Sequence, residues 1–232
     1  KALHELRKAM ATHLCGDQHL GVVVQHGIES HRDGPFAFTS PAIVNPIYGR
    51  WWKPEDEKPG PRPIPNSPLP WTGDFEDGLG NKITMHAYAN PEDRSDELKR
   101  ADGFGVARFN KKDRSVTFEC WPRFSKVSDG DEAQFAGWPV TFKAAQNDGR
   151  KIKGWLPKLT FSKPNPVVQV IEEKGGEVLY TIRVQGKSFQ PKVYSTGKFT
   201  IKAGTNSPTK IISREIESKK KRKDAGNVKA SI

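Results

Sequence analysis

The stretch HLCGDQHLG, residues 13–21, places two histidines, a cysteine and an aspartate within nine positions. Three readings compete for it. Asp17 and His19, two apart, pair a hard with a borderline metal ligand and suit Zn, Fe or Mn. His13, Cys15 and His19 would begin a local zinc site, but a closed site needs four ligands and no second pair stands nearby. The plain reading is a strand that runs to Cys15, stops at Gly16 and turns. In layered α/β folds the loop at a strand's carboxyl end is where ligand sites gather. A turn at Gly16 and a ligand role for Asp17 and His19 are therefore compatible.

The flanks support a strand here. Upstream, Leu3, Leu6 and Met10 fall on one side at helical spacing, with Arg7 and Lys8 between them, which predicts an amphipathic helix. The chain starts at Lys1 inside that pattern, without the apolar run of a signal peptide. The expectation is that sequence is missing upstream. Downstream, LGVVVQHGIE suits a strand or a short helix, and GPFAFTSPAIVNP a buried strand ending at Pro41. Residues 53–70 hold seven prolines. They can form neither helix nor central strand, and read as a surface excursion or the wall of a site. NKITMHAYA (81–89) is strand-like, and NPEDRSDELKRA (90–101) predicts a short capped helix. The strongest hairpin signal joins FGVARFN (104–110) to SVTFECW (115–121) through KKDR, with Val116, Phe118 and Cys120 on one face. Residues 165–204 read as an all-β unit turning at EKGG.

Composition agrees with short elements. A chain of 232 residues can bury a core, but only 34% are hydrophobic, while 18 prolines and 21 glycines ask for many turns. No stretch has the apolar length to span a bilayer. Two cysteines, Cys15 and Cys120, cannot build a disulfide framework and read as buried free thiols. The net charge of +11 raises nucleic acid and other anionic polymers as partners. Residues 211–232 carry seven Lys or Arg against three Asp or Glu. Their SKKKRKD run reads as a solvated, disordered tail without the aromatics that a single-strand binder stacks on bases. Nucleophile elbows of the G-x-S-x-G type and glycine-rich phosphate loops are absent, which leaves Ser40 without a nucleophilic role.

Taken in order, GDQHL, PAIVN and FECWPR make a more specific pattern than any one alone. Together they resemble the carboxyl-terminal part of calcineurin-like metallophosphoesterases of the alkaline phosphatase D type. The likeness touches most of residues 1–205. It implies an α/β fold, the closing portion of a four-layer α/β/β/α sandwich over residues 1–150. A small β domain follows over 151–210, then the basic tail over 211–232.

Carried over by position, His19 matches the family's metal-binding histidine and Asp17 an outer ligand. Arg50, in the YGRWW cluster (48–52), would meet phosphate through its guanidinium fork. Trp71 and Trp121 read as packing; His26 and His31 lie within chain reach of the turn but suit structural roles. The implied cofactors are divalent or trivalent metal ions, a dinuclear pair of Fe, Zn, Mn or Ca. These would activate a water to hydrolyse phosphomonoesters or phosphodiesters. The family's earlier motifs, among them G-N-H-[DE], are not in this chain, so the 232 residues by themselves are expected to be inactive. The resemblance also implies an extracytoplasmic setting. The reading from a different class is a non-catalytic, β-rich binding module for glycans or anionic polymers.

Overall fold

The computed structural model describes residues 1–16, 18–44, 50–93 and 95–232. The chain divides into two compact units, one of residues 1–6 and 11–149, the other of residues 7–10 and 150–232.

One α-helix is present among the described residues, α1 (Ala2–Lys8), and its buried side chain is Arg7 rather than a leucine. The strands of the first unit are β1 (His13–Cys15), β2 (Gly21–His26), β3 (Phe36–Thr39), β4 (Gly73–Glu76), β5 (Lys82–Ala89), β6 (Gly103–Phe109), β7 (Ser115–Pro122) and β8 (Val140–Lys143). Five of them form one sheet in the order β1-β3-β2-β5-β4, and β6-β7-β8 form another. The pair β1/β3 is parallel, Cys15 opposite Thr39, while every other pairing in the two sheets is antiparallel.

Aromatic side chains join the two sheets. Phe36 stacks on Phe142, with ring centroids 3.9 Å apart, and Phe38 on Phe118 at 4.8 Å. Val23, Ala87, Cys120 and Trp138 complete this core. Each fully buried aromatic contributes about 2–3 kcal/mol of transfer free energy, so four rings dominate its stability. Gly105 is part of the fit, since a Cβ there would sit 2.4 Å from the Phe38 ring.

The second unit contains β9 (Gly154–Trp155), β10 (Lys158–Phe161), β11 (Val167–Glu172), β12 (Val178–Arg183), β13 (Ser188–Phe189), β14 (Lys192–Val193), β15 (Lys198–Gly204), β16 (Lys210–Glu217) and β17 (Asn227–Ala230). Its sheets run β12-β11-β15-β16, β13-β10-β17 and β14-β9. Leu156, Leu159, Val168, Val170, Tyr180 and Phe199 are the centre of its core. In β12 both Leu179 and Tyr180 are buried, because a register shift between Val170 and Ile171 interrupts the alternation.

These findings overturn the expected α/β architecture. A four-layer α/β/β/α sandwich needs helices long enough to cover the outer faces of its sheets. The described residues hold one helix of 7 residues and several small, mostly antiparallel sheets. The elements are those that abundant Pro and Gly and β-branched runs favour. Where a helix was expected over 90–101, the described residues form one 3₁₀ turn, Glu97–Lys99, capped by the Asp96 side chain on the Leu98 amide. Pro91 and the run of Asp and Ser residues offer the backbone local alternatives to a helix.

The tail differs as well. Residues 211–232 include the rest of β16 and all of β17, which lies parallel to β10. Ala225 and Ala230 are buried, and Arg222 lies over the Trp155 ring, 5.1 Å from its centroid. The lysines stay solvated while the backbone between them is paired. A charge run judged by its side chains hides that. No helix among the described residues is long and apolar enough to cross a membrane.

Candidate functional site

β1 is the edge strand of its sheet, so its side chains are not the core residues that the sequence suggests. His13 and Leu14 are exposed, and Cys15 is half-buried with Sγ 3.0 Å from Thr39 Oγ1. The chain leaves β1 at Gly16, where a Cβ would meet nothing within 4 Å. Asp17, the expected outer metal ligand, lies outside the described residues. Gln18 is exposed and His19 half-buried. The Arg50 backbone N–H donates to the His19 carbonyl at 2.9 Å, and its Nη1 donates to Gln18 Oε1 at 3.0 Å. Two of the three expected site residues, 31 positions apart in the chain, therefore meet at the carboxyl end of β1.

His26 and His31 have other places in the sheet. His26 closes the far end of β2, about 17 Å along the strand from Gly21. Burial, with His13 nearby, pushes its imidazole below the ordinary value. His31 is engaged through Nε2 with the Phe75 carbonyl at 3.0 Å. Of the tryptophans beside Arg50, Trp51 is exposed with Lys53 above its ring. Trp52 is fastened by Nε1 to the Trp71 carbonyl and by its amide to Asn90. Trp121 is 1% exposed and donates to Glu119.

A metal pair needs several carboxylates and imidazoles converging within coordination distance. Among the described residues no group of three or more His, Cys, Asp or Glu side chains is so arranged.

A second concentration of charge lies deeper in the first unit. Asp74, on β4, has a buried side chain whose two oxygens are shared among three donors. Arg32 Nε reaches Oδ1 at 2.9 Å, Thr84 Oγ1 reaches Oδ1 at 2.7 Å, and Arg62 Nε reaches Oδ2 at 2.7 Å. Burial alone would raise this carboxyl, but the hydrogen bonds from Thr84 and the two arginines prevail and hold it below the ordinary carboxylate value. Arg32 and Arg62 have φ of 68° and 52°, so both backbones adopt the left-handed conformation while their side chains hold Asp74. Gly60 makes the approach possible, because a Cβ there would sit 2.2 Å from the Asp74 carbonyl oxygen.

The Pro-rich segment is thereby pinned, and residues 64–68 wall a cavity of about 470 Å³ that His86 and Trp138 also line. Both rings have a buried nitrogen, His86 Nε2 and Trp138 Nε1, with no hydrogen-bond partner among the described residues. Burial, with the Arg32 charge second, lowers the His86 imidazole to about 4, so it is neutral at pH 7. Sequence reasoning missed Asp74, His86 and Trp138. Asp74 and His86 sit alone in ordinary strand alternation, and the only signal was the proline density of the segment opposite. No family model, curated protein or solved structure matches this chain.

Proposed function

We propose that Gln18 and His19, which follow β1, form with Arg50 a phosphate-facing corner of a phosphoester-hydrolysing enzyme of the alkaline phosphatase D type. The observation that carries this reading is the pair of hydrogen bonds that brings Arg50 to Gln18 and His19. A guanidinium presents a planar fork of N–H donors that matches two oxygens of a phosphate. Anchoring Nη1 to Gln18 lowers the entropy lost when the exposed fork takes up an anion. His19 offers an imidazole on the same turn. In this reading it supplies one ligand of a metal pair, whose other ligands are not among the described residues. The overall charge of +11 draws phosphate esters toward the surface.

The test is hydrolysis of p-nitrophenyl phosphate and bis(p-nitrophenyl) phosphate by the natural protein, with bound metal measured alongside. His19→Ala is expected to lower both metal content and turnover. Arg50→Ala is expected to raise KM about tenfold or more with metal content unchanged, as loss of a charge-assisted contact should. Arg50→Lys restores part of the affinity. Unchanged metal content and unchanged hydrolysis in both alanine variants would overturn the reading.

A further inference from the structure

A second pocket of the first unit, about 460 Å³ in volume, carries its own chemistry. Its lining includes none of Gln18, His19 and Arg50, and its occupancy is independent of the phosphate-ester reading.

Asp102, the residue before β6, is among its lining residues. Backbone pairing sets its place: the Gly103 amide donates to the Ala42 carbonyl, and the Arg123 amide donates to the Asp102 carbonyl at 2.8 Å. The residue is 7% exposed, and both carboxylate oxygens are buried without a hydrogen-bond partner among the described residues. Arg123 Nη1 stands 3.6 Å from Oδ2, beyond hydrogen-bonding distance. Arg123 balances the charge but leaves the lone pairs of the carboxylate unfilled. An ionised carboxylate accepts several N–H or O–H groups, and a buried one without them is costly.

The rest of the pocket suits an apolar body with a positive end. Leu69, Phe135 and Ala101 line it, and Leu98 and Phe124, 77% and 72% exposed, flank it. Glu92 and Glu97 join Asp102 against Lys99 and Arg123, so carboxylates outnumber cations among the described lining residues. That balance is the reverse of the chain's net charge. An anion entering here would approach Asp102 at short range, whereas a cation would fill its lone pairs.

We propose that this pocket binds an organic cation, a primary amine or guanidine on an apolar or aromatic body, with Asp102 as its anchor. An ammonium brings three donors to the two free oxygens, and its hydrocarbon covers Leu69, Phe124 and Phe135. The Phe124 ring already carries a cation, Arg123 Cζ 5.1 Å from its centroid, so the Asp102 carboxylate and not the ring is what holds the ammonium.

The experiment is an NMR titration of the whole chain with 2-phenylethylammonium. The neutral 2-phenylethanol and the anionic 3-phenylpropionate serve as controls. Saturable shifts are expected at the amides of Asp102, Arg123, Phe124 and Phe135 with the amine alone. Asp102→Asn, checked for an unchanged melting temperature, should weaken the amine about tenfold or more, the effect of losing a charged hydrogen-bond partner. Phe124→Ala alters an exposed side chain and keeps the test open if Asp102→Asn fails to fold. It should weaken 2-phenylethylammonium more than methylammonium. Absence of saturable shifts, equal binding of the alcohol, or undiminished binding by a folded Asp102→Asn protein would each overturn the proposal. So would a Phe124→Ala protein that loses equal affinity for both amines or none for either.

Discussion

Arg32 Nε lies 2.9 Å from Asp74 Oδ1, and this contact joins the loop after β2 to the strand that edges the same sheet. The Asp74 side chain is 4% exposed, and with Arg62 on its second oxygen it is the electrostatic hub of the first unit. Removing its charge should cost more than losing an exposed ion pair, because the carboxylate itself is buried.

Asp74→Asn keeps the shape and discards both charge pairs. A loss of about 2–3 kcal/mol is expected in the urea unfolding of the first unit at pH 7. The folded carboxyl titrates below its ordinary value near 3.8. Its stabilisation is therefore complete above that value and disappears as the pH falls through the lower, folded one. The gap between wild type and variant should narrow below pH 3.8. A gap that is absent at pH 7, or constant down to pH 2, contradicts this account of the hub.

His86 acts in a higher window. Its folded imidazole is lowered to about 4 from 6.5, chiefly by burial and then by Arg32. Stability from keeping it neutral is intact above pH 6.5 and declines as the pH drops toward 4, where the unfolded chain binds the proton first. The full loss is about 3 kcal/mol. His86→Phe, whose ring can keep the contact with Phe36, should give a shallower fall in stability between pH 6.5 and 4. The lowered His26 leaves a residual slope in the same direction. Identical pH profiles for the two proteins would show that His86 is not buried as described.

The carboxyl-terminal residues supply a third test. Deleting 218–232 removes β17, the buried Ala225 and Ala230, and the backbone pairing of Lys219 with Trp155. The second unit should melt several degrees lower, with faster hydrogen exchange in β10. Ala230→Asp should do the same with the length unchanged. A solvated tail would leave the melting temperature where it was.

What the sequence made legible was local. Alternation marked β7, and the turn KKDR sat where the chain reverses between β6 and β7, with Gly105 opposite Cys120. The larger architecture was misread, since resemblance supplied layers of helix that short Pro- and Gly-rich segments do not build. At the candidate site Gly16 was readable as a turn. The approach of Arg50 was not, because it rests on hydrogen bonds across 31 and 32 positions. Asp74 was invisible for the same reason: its partners come from 42 and 12 positions away, and nothing in its neighbours announces them.

The pairing of β10 with β17 also sets an order of events. Ser162 and Ile232 bond across 70 positions, so β10 must wait for the end of this sequence before its parallel neighbour exists. The β11–β12 hairpin, closed by a tight turn with Gly175 and Gly176 at positive φ, has no such wait. Loop closure over so long a separation is slow compared with hairpin formation. One flank of β10 is thus local to its neighbour β13, while the other is completed only by β17, the last strand of this unit.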